Sequence, residues 1–382
     1  MKTSAVATGL SYGSGHLRHV ETAVSEALNK AALDHANAVL LFLTPEFAND
    51  LKPALRAAAR VAGCTQVVGC IGAGLFTDQE WVLDSRAAAA MVFGGNVTLE
   101  PPRRYEEDQT VVSLTTPAAV SADWLDLPVR RIGAVSTDLA GHGPFLVWRG
   151  SRVCPEERTD VIVRGTRNSI VVAQGVRALT SPLEVADVAG LDILRLGNYP
   201  ALNVLFRSLP ATLRQMDQIP LHLVMCGITF GDPKTAIQDG RFRLDYIVSA
   251  NQQDRSITVS NPLPRGARLF WALRDKLAAE RAMAESIVAA RKHLGSEPDF
   301  ALMFPCISRG ASFFGNRDRD IDQLRARFPE LPFIGFYGNG EIAPLSHGCH
   351  LFQYSTALGL FAITDVEQRS AAGPVTAAPQ HG

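Results

Sequence analysis

Val68-Gly69-Cys70-Ile71-Gly72-Ala73-Gly74 and Ile334-Gly335-Phe336-Tyr337-Gly338-Asn339-Gly340 carry three glycines at the same relative spacing, far apart in a 382-residue chain. Each stretch follows an apolar run, Val39-Leu40-Leu41-Phe42-Leu43 or Phe300-Ala301-Leu302-Met303-Phe304, and then a helical segment. Each precedes another apolar run, Ala87 to Phe93 or Thr356 to Phe361. A weaker third copy runs from Val111-Val112-Ser113-Leu114 through Arg131-Ile132-Gly133-Ala134-Val135 to Phe145-Leu146-Val147-Trp148. Apolar runs of this length bounded by turn residues read as buried strands. The copies therefore predict internally duplicated strand-helix-strand units. They are unequally loaded, because the last one carries Cys306, Arg309, Tyr337, Asn339 and Glu341 where the first has mostly Ala, Leu and Gly.

Further elements follow from period and punctuation. Val20, Val24, Ala27, Leu28 and Ala31 keep helical spacing. The longest helix is predicted from about Leu273 to Leu294, ended by Gly295. Short strands joined by tight turns are expected around Gln174-Gly175, over 183–196, at 221–225, and from Phe242 to Val259. Strict βαβ alternation is missing, which argues against a doubly wound domain. The expected class is α+β, with mixed and antiparallel sheets covered by helices in two closely associated domains. A boundary is placed at 210–220, giving domains 1–215 and 216–366. Residues 367–382, rich in Ala, Gly, Pro and Gln, are expected to be a disordered tail.

Composition excludes several classes. A net charge of -1 gives no electrostatic reason to expect nucleic acid or an anionic membrane as partner. No run of about 18 apolar residues is present, and no signal-peptide core, so a cytoplasmic protein is expected. Cys64, Cys70, Cys154, Cys226, Cys306 and Cys349 form no C-x-x-C pair and read as free thiols. Gly69, Gly72 and Gly74 stand in the wrong order for a dinucleotide fingerprint. Arg317-Asp318-Arg319-Asp320 alternates in sign and reads as a solvated face.

Leu302-Met303-Phe304-Pro305-Cys306-Ile307-Ser308-Arg309, with Pro332 to Pro344 (PFIGFYGNGEIAP), resembles the C-terminal part of the FIST sensory domain. Val171 to Arg177, Ile193 to Leu196 and Pro200-Ala201-Leu202 resemble its N-terminal part. The resemblance implies a bacterial intracellular sensor that binds a small molecule, an amino acid or similar metabolite. It implies no catalysis, and a signal passed to a separate partner such as a histidine kinase. Some family members are haem proteins that sense nitric oxide.

The candidate ligand residues are Cys306, Arg309, Tyr337, Asn339 and Glu341. Glu341 follows a Gly-x-Gly turn, where a carboxylate can meet a ligand ammonium; the alternative is that it braces the turn. The Arg309 fork can hold a carboxylate, or else pair with Glu341 or Asp318. Cys306 reads as a core residue, a nucleophile or an iron ligand. Tyr337 and Asn339 line the pocket or shape the turn, with Asn339 a candidate for a left-handed backbone. No cofactor is required, and haem is the alternative, with His350 or His347 as axial ligand. A third reading is a cysteine-dependent enzyme with Cys306 as nucleophile and His350 as base. Glu341→Ala and Arg309→Ala are each expected to abolish binding with little loss of folding.

Overall fold

Ala38–Leu43, Ala87–Phe93 and Phe300–Pro305 are buried at every position. A strand that is apolar on both faces needs cover on both sides. The computed structural model, which describes residues 5–14, 18–107, 109–216, 218–345 and 348–364, provides that cover in four sheets. The fold is mixed α/β, and one of the sheets closes into a six-stranded barrel. The predicted tail 367–382 lies outside the described residues.

Three six-stranded sheets share one plan. The first runs Val6–Tyr12, Ala87–Phe93, Ala38–Leu43, Val67–Cys70, Val147–Arg149 and Arg152–Val153. The third runs Thr166–Gln174, Ser355–Ile363, Phe300–Pro305, Phe333–Phe336, Gly74–Thr77 and Trp81–Leu83. The second runs Thr98–Glu100, Arg158–Arg164, Thr110–Thr115, Arg130–Val135, Glu341–Pro344 and Cys349–Phe352. In every sheet only the middle pairing is parallel: Val39 with Val67, Thr110 with Arg130, and Ala301 with Phe333. All the other pairings are antiparallel.

The fifth strand of each sheet comes from another unit. After Val67–Cys70 the chain crosses to the third sheet as Gly74–Thr77, and after Phe333–Phe336 it crosses to the second as Glu341–Pro344. After Arg130–Val135 it crosses to the first as Val147–Arg149. The three exchanges close a cycle. The repeated glycines sit at two of these crossings. A Cβ on Gly72 would lie 2.6 Å from Cβ of Phe336, and one on Gly338 would lie 2.8 Å from Cβ of Ala134. Only hydrogen fits where the units pass so closely.

The inner faces meet in one core that includes Phe42, Leu114, Ile132, Phe300, Phe304 and Phe336. Helices Arg18–Ala31 and Leu51–Ala62 cover the outer face of the first sheet. Helices Lys276–Leu294 and Arg319–Arg327 cover that of the third. Among the described residues the second sheet is covered by the one-turn helix Ala122–Leu125 and by no longer helix. There Trp124 and Tyr105 close over a buried Arg131–Asp160 pair. Asp160 accepts from Arg131 Nη1 (2.6 Å), Ser113 Oγ (2.6 Å), Tyr105 Oη (2.6 Å) and Trp124 Nε1 (2.9 Å). Burial opposes its charge, yet Arg131 and these donors outweigh burial and hold the carboxyl below its usual range.

The barrel interrupts the third unit between strand Thr166–Gln174 and helix Lys276–Leu294. Its strands are Leu183–Ala189, Asp192–Leu196, Ser256–Val259, Phe242–Asn251, Val224–Thr229 and Arg268–Arg274, and the last pairs with both Val224–Thr229 and Leu183–Ala189. Trp271, Ile193 and Ile257 fill it, and Leu205 of helix Ala201–Ser208 joins them. Gly175 marks the departure from the frame, for a Cβ there would fall 1.9 Å from Cα of Ala279. Residues 210–220 lie within the stretch that builds the barrel, between helix Ala201–Ser208 and strand Val224–Thr229. The strand expected at 221–225 starts only at Val224, after a 3-10 turn over Leu221–Leu223. Glu341–Pro344, which follows the Gly-x-Gly turn, is a strand. Among the described residues no helix is long and apolar enough to cross a membrane.

Candidate functional site

Strand Phe300–Pro305 ends where it meets the Gly338 crossing. Gly338 N donates to Pro305 O (3.0 Å), and Ile307 N donates to Gly338 O (2.9 Å). Cys306 N donates to Ser355 O (2.9 Å). These bonds bring Cys306, Glu341 and Ser355 together at the end of the third sheet. Glu341 is fully buried, and its Oε2 accepts from Ser355 Oγ (2.6 Å) and Ser355 N (3.3 Å). Its Oε1 has no hydrogen-bond partner. Burial pushes the Glu341 carboxyl up to about 8, against the opposing pull of Ser355, Arg309 and the Cys306 thiol. Burial, and then Glu341, push the Cys306 thiol up to about 12, although the amides of Ser308 and Tyr354 favour the thiolate. Burial thus favours the neutral form of both groups as long as no cation faces them.

Arg309 is buried beside them but is held by Asp320. Its Nε donates to Asp320 Oδ2 (2.7 Å), and its Nη2 donates to Asp320 Oδ1 (3.3 Å) and Ala279 O (3.0 Å). Its Nη1 has no partner. Neither Glu341 nor Asp318 is its ion-pair partner. Thr356 Oγ1 also donates to Asp320 Oδ2 (2.7 Å). Tyr337 is buried, with its ring 5.4 Å from that of Phe76, and its hydroxyl donates to Asp318 Oδ2 (2.7 Å). Asp318 also caps helix Arg319–Arg327 by accepting from Ile321 N (2.9 Å). Burial, and then the charge of Asp320, raise the Asp318 carboxyl to about 6. The stretch 317–320 is therefore no solvated face. Asp318, extended at the helix cap, and Asp320 in the first turn point inward, while Arg317 and Arg319 pair outward with Asp322 and Glu280.

Asn339 is exposed, and only its backbone is engaged, donating to Val135 O (3.0 Å). The left-handed residue of the turn is Gly340 (φ 112°), not Asn339. His350 sits opposite Ala343, half-buried, with its ring 4.9 Å from Phe230 of the barrel and 6.3 Å from Phe352. Burial, and then Arg243, lower its pKa. His347 lies outside the described residues. Among the described residues no group of three or more His, Cys, Asp or Glu is placed to hold a metal ion.

Sequence reasoning missed Ser355, Thr356, Asp320 and Arg274. Arg274 ends the last barrel strand, and its guanidinium lies over the rings of Tyr354 (4.5 Å) and Phe313 (4.8 Å). Its Nη2 donates to Ser308 O, so the barrel touches the Cys306 loop directly. Tyr354 takes a left-handed backbone (φ 55°), unusual for a bulky residue. That strain marks the turn delivering Ser355 to Glu341, a signal no motif carried.

The chain is 26% identical to an uncharacterized protein of Mycobacterium bovis over 243 residues, 63% of each chain. It is 24% identical to another uncharacterized protein, of Mycobacterium tuberculosis, over 237 residues, 62% of each. The chain thus spans less than two thirds of the length of the curated relatives it matches. Residues 201–344, which include Cys306, Arg309, Tyr337, Asn339 and Glu341, match the FIST C domain family.

Proposed function

We propose that this chain is a sensory module that binds a small molecule bearing an ammonium group, such as an amino acid, where the third sheet meets the barrel. The observation that carries the reading is Glu341, a fully buried carboxyl with one oxygen held by Ser355 and the other met by no stronger donor than the neighbouring Cys306 thiol. A buried polar atom so weakly met calls for an explanation, and a ligand donor supplies one. Arg274 links this cluster to the barrel, so occupancy at Glu341 has a route to a second body of the protein and, in a bacterial cytoplasm, to a separate signalling partner such as a histidine kinase. The match of residues 201–344 to the FIST C family supports a sensory role. A catalytic Cys306 draws no support from its chemistry, because a thiol pushed up to about 12 is a poor nucleophile at neutral pH.

The test is a thermal-shift screen of amino acids and small amines against the wild type and Glu341→Gln. The reading expects at least one compound that raises the wild-type melting temperature and leaves the variant unmoved. A hit that stabilises both equally would move the site elsewhere.

A further inference from the structure

A cavity of about 690 Å³ opens between helix Ala201–Ser208, Met216 with Gln218, Ile219 and Leu221, and the hairpin turn that includes Gln252 and Arg255. It is built from barrel elements alone, apart from the Glu341 cluster. Its volume lies within the range of small-molecule sites. Leu202, Phe206, Met216 and Ile219 supply apolar walls, and Phe206 and Met216 are 44% and 50% exposed. Large apolar side chains left open side by side mark a surface that gains by being covered.

Among the described lining residues the charges are all positive. Arg207 and Arg255 line the cavity, and none of its described lining residues is acidic; Asp217 lies outside the described residues. The Arg207 guanidinium lies over the ring of Tyr199 at 5.8 Å. A second, independent observation concerns Arg255. Its φ is 52°, in the left-handed region, and its carbonyl accepts from Leu202 N at 3.0 Å. Glycine adopts this backbone without steric cost and an arginine does not.

We propose that this cavity binds an amphipathic carboxylate, its apolar body against Leu202, Phe206, Met216 and Ile219 and its head held by Arg207 and Arg255. Guanidinium forks match a carboxylate in shape and charge. Titration calorimetry with decanoate tests this. The wild type is expected to bind with one-site saturation, and Arg207→Gln/Arg255→Gln to bind at least tenfold more weakly. Glu341→Gln should bind decanoate like the wild type, which separates this site from the proposed sensory one. Arg255→Gly should raise the melting temperature by removing the strain while weakening binding. No saturable binding by the wild type, equal affinity in the double variant, full affinity in Arg255→Gly, or loss of binding in Glu341→Gln would each overturn the assignment.

Discussion

Burial raises the carboxyl of Glu341 to about 8, so the folded protein holds this proton more tightly than an unfolded chain, whose group titrates near 4.5. The sign of the linkage follows. The stability contributed by the protonated group is full below about 4.5 and is lost as pH rises toward 8. Glu341→Gln keeps the shape without the titration. Urea unfolding across this window should show the variant gaining on the wild type as pH rises, by at most about 1.4 kcal/mol per pH unit. A constant difference would mean that Glu341 does not titrate in the window. Arg309 behaves differently from the expectation drawn from sequence. Because it is bound to buried Asp320, Arg309→Ala strands a carboxylate and should cost about 3–5 kcal/mol of stability. Loss of ligand binding in that variant would therefore report unfolding as much as contact. Restoring neutrality with Arg309→Met/Asp320→Asn should recover part of the loss in the same unfolding assay. The sequence flags Glu341 and Cys306 through their resemblance to the family motif, and the fold brings the two together. Ser355 and Asp320 were not legible, since their partners are distant in the chain and set only by the fold.

At the scale of elements, two-faced apolar runs announced the central strands, and Gly295 ends the long helix as expected, but the helix starts at Lys276 after the Asp275 cap, because Leu273 belongs to strand Arg268–Arg274. Sequence periodicity does not reveal which sheet a strand joins. Gly74–Thr77 and Glu341–Pro344 are short, follow glycine turns and pair with units other than their own, so they read as loops. Their crossings are also where the fold tolerates least. Gly338→Ala would set a methyl against Ala134, with no flexible side-chain end to move aside. It should cost about 1–3 kcal/mol, read as a lower urea midpoint with an unchanged slope. The second sheet depends on polar packing where its neighbours depend on helices. Asp160→Asn removes the charge opposite buried Arg131 and should destabilise by about 3–5 kcal/mol, whereas the exposed Arg104–Glu106 pair should be nearly silent on removal.

At the scale of the molecule, three sheets of one plan enclose a common core, and the barrel is an insertion with a core of its own. Repeated glycines and apolar runs made the frame readable. The barrel was read only as a string of hairpins, because ring closure rests on the pairing of Leu183–Ala189 and Val224–Thr229 with Arg268–Arg274, strands well separated in sequence. Barrel and frame meet at Arg274 and at the Phe230–His350 contact, which flank the Glu341 cluster. The central claim is that Glu341 receives a cationic ligand at this junction. The measurement that tests it most directly is the affinity of a screened amine ligand, by calorimetry, from pH 5 to pH 9. An ammonium favours the ionised carboxylate, so wild-type affinity should climb roughly tenfold per pH unit and level off near 8, while Glu341→Gln binds weakly and without pH dependence. Equal affinities for wild type and variant at every pH would contradict the account.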